Sequence, residues 1–257
     1  MANFWINEFL KIVVFFTSTF ALGKYLVSRG VKVNYTRKIF HFIFFFFPIY
    51  LAGVLPFKSS YLTTSLSGGI LLLAMGLMWE PIRRHSGFLE TAYSAIDRPE
   101  DRPYTLIWLS TQLIATYLVL ICMVAWLSQY EKTVLIYITV LVAGIGDGLA
   151  EPVGIRFGKR KYNVRALFTD RRYTRSIEGS MCVFLSGILA VILLSEQLDT
   201  AQFVVALAII PIIMTLAEAF SPHTWDGPFL YLAGGVSTVG VLGNRQCAVN
   251  EVCLRFR

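Results

Sequence analysis

Apolar runs, most of them long enough to cross a bilayer, recur from one end of this chain to the other and limit what it can fold into. They occupy residues 9–27, 39–57, 62–80, 104–127, 134–151, 177–195, 201–220 and, in a shorter glycine-rich stretch, 229–243. A helix needs about 20 residues to cross the hydrocarbon core. Inside lipid every backbone polar group must be bonded within the chain, so only helices or a closed barrel can span. Continuous apolar runs, rather than alternation, select helices. Composition agrees: 56% of the 257 residues are apolar, 15% are charged and mean hydropathy is +0.62, outside the range of a typical soluble domain. The expected fold is all-α, a polytopic integral membrane helix bundle of about seven to eight transmembrane helices. It forms a single transmembrane domain over residues 1–257. No basic segment precedes the first run and no small-residue cleavage site follows it, so it reads as a retained span.

The net charge of +7 would suggest a nucleic-acid partner in a soluble protein. Here the cations cluster in loops between apolar runs, a pattern that sets topology and argues against nucleic acid. Residues 28–38, 81–103 and 152–176 carry four, four and eight Lys or Arg, whereas the connections on the opposite side carry Lys58, Lys132 and none. The positive-inside rule puts the rich loops in the cytoplasm and the N-terminus outside. With eight spans the tail, residues 244–257, also falls outside despite Arg245, Arg255 and Arg257. The segment 81–103 is the most soluble-looking part and reads as a loop with a short surface helix. Cys122 and Cys182 lie in apolar runs, and Cys247 and Cys253 in the tail lack metal-site spacing, so all four read as free thiols.

Chemistry concentrates between Gly146 and Ser180, GDGLAEPVGIRFGKRKYNVRALFTDRRYTRSIEGS. Asp147 and Glu151 stand four residues apart, which on a helix puts both carboxylates on one face, where they could hold a metal. Gly144, Gly146, Gly148, Gly154 and Gly158 are more than a plain span end needs, and suggest close approach of the backbone to a ligand. From Arg156 to Arg175 there are eight cations and a single acid, Asp170. That density suits a triphosphate, although the loop alone would equally suit topology or anionic lipid. Ser176, Glu178, Gly179 and Ser180 then open the next apolar run. Carboxylates for Mg²⁺, cations for phosphates and glycines for close approach are the parts of phosphoryl transfer.

Other polar residues have plain readings beside the functional ones. Asp147 and Glu151 could be helix-end carboxylates pairing with Arg156. His41 is a lone histidine, either packed or part of a polar cluster with Arg37 and Lys38. Glu80 ends a span before Pro81, Glu218 stands near the end of another, and Asp226 precedes a Gly-Pro turn.

Together, GDGLAEPVGIRFGKRKY, RSIEGS, AEAFSPHTWD and RKIFH resemble the CTP-dependent lipid-alcohol kinases, such as dolichol kinase and phytol kinase, which are akin to phosphatidate cytidylyltransferases. The resemblance covers most of the chain. It implies a kinase that transfers the γ-phosphate of CTP to a long-chain isoprenoid or related lipid alcohol, with Mg²⁺ on Asp147 and Glu178. Asp147, Glu178 and Asp226 would be catalytic. Gly146, Gly154, Gly158, Ser176, Gly179 and Ser180, with Arg156, Lys159, Arg171, Arg172 and Arg175, would hold the nucleotide in a cytoplasmic loop, 152–178. Arg37, Lys38, His41, Glu80, Glu151, Glu218 and Ser221 would serve the substrate or support the site. The implied location is a membrane, bacterial inner membrane first, with ER or plastid membrane as alternatives. Arg175 stands where these kinases more often have Lys, and Gly227 where Asn is common. Two other functions remain open from the residues: a cytidylyltransferase acting on a lipid phosphate, and a transporter or lipid-binding scaffold whose acids form an ion path.

Overall fold

The computed structural model describes residues 2–167 and 169–255, with side chains described as far as residue 243. Helix α1 (Ala2–Tyr25) leads through a short turn to α2 (Val33–Val54), and α3 (Tyr61–Gly76) returns. Ser60 starts α3 by accepting the backbone N–H of Thr63, whose hydroxyl accepts the Ser60 N–H in return. Two short helices follow, α4 (Glu80–Arg83) and α5 (Gly87–Ser94), then the long α6 (Thr105–Ser128). The next helical segment, Thr133–Phe157, is composite: α7 (Ile136–Leu141), a π-helical stretch (Val142–Asp147) and α8 (Gly148–Phe157). A hairpin of β1 (Lys161–Arg165) and β2 (Arg172–Ser176) precedes α9 (Ile177–Leu193), α10 (Thr200–Phe220) and α11 (Asp226–Arg255).

Among the described residues, five helices are long and apolar enough to cross a membrane: Ala2–Arg29, Val33–Val54, Thr105–Ser128, Thr133–Phe157 and Thr200–Phe220. Tyr61–Gly76 and Ile177–Leu193 are apolar but shorter. A helical membrane bundle is therefore supported at this level. The thiols of Cys247 and Cys253 and the tail's arginine side chains lie outside the described residues. Leu127, Leu135, Ile138, Val183, Ile210, Met214 and Leu230 form one core, where α6, α7, α9, α10 and α11 meet. Phe15, Leu71, Met78, Tyr93 and Ile96 form a second between α1, α3 and α5. Large apolar side chains such as Leu73, Leu185 and Phe220 point outward, as lipid-facing surfaces require.

Two expectations need correction. The segment 81–103 is not a solvated loop. Helix α5 lies on α1 so closely that a Cβ at Gly23 would fall 2.0 Å from the Thr91 carbonyl oxygen. Ala92, Tyr93, Ala95, Ile96, Arg98 and Asp101 are buried. Arg98 and Asp101 look like surface charges in sequence because further partners, Arg37, Glu151 and His223, lie on distant elements. The basic loop 152–178, in turn, is structured, so the fold is not wholly α. Alternation of charged and β-favouring residues in KYNVR and RYTRS supports an antiparallel ribbon, with Tyr162 opposite Arg175.

Candidate functional site

A cavity of about 1050 Å³ runs through the bundle, with one end at the hairpin and its walls on α1, α2, α3, α6, α7, α9 and α11. Its polar end is built from four places. The first turns of α2 supply Arg37, Lys38 and His41, and the π-helical stretch and α8 supply Asp147 and Glu151. β2 and the start of α9 supply Arg175, Ser176, Gly179 and Ser180, and the turn into α11 supplies Thr224 and Asp226.

Lys38 organises the first half. Its Nζ lies 3.1 and 3.2 Å from the two carboxylate oxygens of Asp147, donates to the Asp147 carbonyl at 2.9 Å, and stands 4.0 Å from Glu151. The paired carboxylates thus share one face as their spacing requires, and a lysine joins them. The π-helical stretch shifts the hydrogen-bond pattern and leaves carbonyls available. His41 Nε2 sits 3.1 Å from the Ala143 carbonyl and 3.2 Å from that of Gly144, so this nitrogen carries the proton. The opposite nitrogen, Nδ1, is 3.8 Å from Asp147.

Arg175 organises the second half. Its guanidinium bonds the Glu218 backbone carbonyl and lies 3.2 Å from the Glu218 carboxylate, 3.2 Å from Ser221 Oγ and 3.9 Å from Asp226. Burial acts to lower the Arg175 pKa, and the charges of Glu218 and Asp226 outweigh it, so the group stays firmly charged. Glu218 also accepts from Ser180 Oγ at 3.0 Å, and Ser180 pairs with Tyr162 at 2.7 Å. Asp226 stands next to Asp147, with Gln112 Nε2 at 3.5 Å. Thr224 lines the same end with a backbone φ of 65°, in the left-handed region, and its buried hydroxyl has no partner. A β-branched residue held in that conformation is an outlier that points to function.

A third network ties the hairpin to the 97–102 segment. Asp101 is fully buried and receives Arg37 at 2.9 Å and Arg98 at 2.7 Å, while Arg98 reaches Glu151 at 2.9 Å. His223 Nε2 lies 3.1 Å from both Asp101 Oδ1 and Arg98 Nη2. One nitrogen cannot accept and donate at once, and the buried carboxylate is the stronger partner, so Nε2 donates to Asp101. Burial would raise the Asp101 pKa, but the His223 hydrogen bond and the two arginines hold it far below the usual carboxylate range. For His223 burial dominates and pushes the pKa down, against the pull of Asp101. The Tyr173 ring stacks on His223 at 3.5 Å, its hydroxyl donates to the Glu100 carbonyl, and Arg171 donates to the carbonyls of Glu100 and Arg102.

Several expected residues stand elsewhere. Glu178 is not at the cavity; its carboxylate lies 3.4 Å from the Arg160 backbone N–H, so the structure does not bring it to Asp147. Of the eight cations in the basic segment, Lys161 and Arg175 line the cavity, whereas Arg156, Lys159, Arg171 and Arg172 are exposed outside it. Glu80 is exposed at the start of α4, 3.8 Å from Arg84. Ser221 braces Arg175 from behind. Ser176 caps α9 by accepting the Gly179 N–H at 3.1 Å. The glycines serve protein packing rather than open space: a Cβ at Gly146 would lie 2.8 Å from Val183 Cα, at Gly154 2.9 Å from Ser176 Oγ, at Gly158 2.3 Å from the Gly154 carbonyl, and at Gly179 2.6 Å from the Ala150 carbonyl. Sequence reasoning missed Asn34, Arg98, Asp101, Lys161, Tyr173, His223 and Thr224. Among the described residues no group of three or more His, Cys, Asp or Glu forms a metal cluster. No family model, curated protein or solved structure matches the chain.

Proposed function

We propose that this is an integral membrane kinase that transfers the γ-phosphate of CTP to the hydroxyl of a long-chain isoprenoid or related lipid alcohol. The observation that carries the reading is the cavity: one continuous space has Lys38, Asp147, Arg175 and Asp226 at its polar end and Phe40, Phe44, Leu109 and Leu113 along its wall. A substrate with a reactive hydroxyl on an apolar chain needs both. Cytidine rests on the motif resemblance alone. Phosphate is favoured by the cations and by the N-terminus of α9, whose Gly179 and Ser180 line the space. The unpartnered Thr224 hydroxyl adds a hydrogen-bonding group for a ligand.

In this reading Lys38, Arg175 and Lys161 hold the phosphates and meet charge that develops on the transferred group. Lys38 already bonds Asp147, whereas the cation on Asp226 is Arg175 at 3.9 Å, with Gln112 at 3.5 Å and Asp147 alongside. Asp226 is therefore the carboxylate assigned to take the hydroxyl proton. The alcohol oxygen forms the new bond to the γ-phosphorus, the bond to the β-bridging oxygen breaks, CDP leaves and the proton passes to Asp226. Asp147 fits Mg²⁺, which can be held by a single protein carboxylate with phosphate and water. Glu178, away from the cavity, does not fit. When bound, the ion would supply neutralisation of phosphate charge.

The test uses membranes containing the protein, CTP labelled at the α or γ phosphorus, and phytol, farnesol, dolichol and diacylglycerol as acceptors. The expected product is lipid carrying γ label. Lipid carrying α label would replace the kinase with a cytidylyltransferase, and no CTP-dependent product would favour a transporter or scaffold.

A further inference from the structure

Away from the phosphate end, the same cavity is lined by a buried ion pair that the kinase reading does not use. Glu8 and Lys11, one turn apart on α1, form a salt bridge; Lys11 Nζ donates to Ser67 Oγ at 2.8 Å, and Ser67 donates to Glu8 at 3.2 Å. The Glu8 side chain is 5% exposed. All three residues line the cavity, with Asn7, Ser59 and Thr64 nearby in the lining. A closed charge pair inside an apolar span is costly, and such residues are functional by default. Its depth follows from α2. Lys11 shares a small void with Phe44, Phe47 and Pro48, and Asn7, one residue before Glu8, donates to the Leu55 carbonyl at 2.9 Å, so the cluster lies between Pro48 and the end of α2. Ten to seventeen residues separate that stretch from Lys38, which is about 15–25 Å at the α-helical rise. That is between about half and most of the hydrocarbon core. Between the two polar levels the lining is apolar, with Phe40, Phe44, Phe45, Leu109 and Leu113.

We infer that the Glu8–Lys11–Ser67 cluster is the floor of the lipid site and sets the length of chain it accepts. The inference rests on the lipid-alcohol reading and names its substrate class: an isoprenoid alcohol whose extended chain fits within about 15–25 Å, rather than a polyprenol several times longer. A hydrocarbon end that reaches the floor meets charged and hydroxyl groups already bonded to one another. A longer chain must pry that cluster open or fold back, and leaving buried polar groups against hydrocarbon is unfavourable.

The experiment measures two things on purified protein in detergent: retention of alcohols of graded length, from farnesol through phytol to dolichol, by native mass spectrometry, and relative kcat/KM with CTP for the same series. Wild type should retain and turn over the shorter members and discriminate against dolichol. Glu8→Gln with Lys11→Met keeps size and removes both charges, and should raise the preference for longer alcohols by about tenfold. Leu113→Trp fills the apolar section and should shift the preference to shorter ones, which keeps the inference testable if the double variant does not insert. A flat length profile in wild type, or a cut-off that neither variant moves, overturns the floor. Length-selective retention without CTP-dependent product overturns the kinase reading while leaving the floor intact.

Discussion

Lys38 holds Asp147 with every polar contact an ammonium group can make, two to the carboxylate and one to the carbonyl, while Glu178, another acid of the same stretch, lies away from the cavity. Substitution should separate them. Asp147→Asn keeps the shape and removes the charge, and turnover should fall by about 10² to 10³, the range for losing one preorganised electrostatic contact. Glu178→Gln should stay near wild type, and an equal loss in steady-state kinetics from both would reject the division of roles drawn from the cavity. Thr224 allows a second test, since its left-handed backbone carries strain that glycine would release. Thr224→Gly should raise the melting temperature, equivalent to about 1 kcal/mol, yet lower kcat/KM for CTP through loss of the hydroxyl. A gain in stability with unchanged kinetics would leave Thr224 without a ligand.

Among the elements, the composite span from α7 to α8 and its neighbour α9 show what could be read in advance. The spacing of Asp147 and Glu151 was enough to place them together, and the cluster of glycines was enough to mark close approach. What approaches is a neighbouring helix rather than a ligand, α9 at Gly146 and α2 at Gly144 and Gly148, and no local pattern in sequence names the partner of a helix face. The same limit hid Arg98, Asp101 and His223: each sits in a polar segment that looks solvated until a third element supplies its counter-charge. RSIEGS looked like a nucleotide motif, and its serine is also a helix cap, two roles one pattern cannot separate. The packing role predicts a contrast. Gly179→Ala would place Cβ 2.6 Å from the Ala150 carbonyl and should destabilise by about 1–3 kcal/mol, whereas Gly69→Ala on α3 meets nothing within 4 Å and should be neutral or slightly favourable. Thermal unfolding in detergent reads both, and equal melting temperatures would mean that α8 and α9 are free to move apart.

Across the whole molecule, the charge asymmetry and the site should lie on one side of the membrane. Asn163→Cys on β1, in a background lacking the native cysteines, should react with an impermeant thiol reagent only once the cytoplasmic face is opened; labelling of intact cells would reverse the orientation. The 97–102 network adds a pH dependence. Folded His223 has a lowered pKa, so the native state binds fewer protons than the unfolded one. Its stability contribution is complete above about pH 6.5, the unfolded value, and is lost as pH falls below it. Asp101, also lowered, loses its contribution only in stronger acid. The melting temperature should therefore drop between neutral and mildly acidic pH, and His223→Gln should flatten that slope. A wild-type curve already flat there would show that His223 does not titrate against the fold. Finally, the π-helical stretch sets the angular phase between the two halves of one span. Deleting a single residue from it, Ile145 for example, would restore an uninterrupted α-helix with little rotation beyond it, since a π turn holds about one residue more than an α turn. Deleting one from the regular α7 instead would turn everything beyond by about 100°. Asp147 and Glu151 would then swing away from Lys38 while the segment kept its apolar character and its length to within one residue, so the place of one residue in a membrane helix decides whether its carboxylates face the cavity or the lipid.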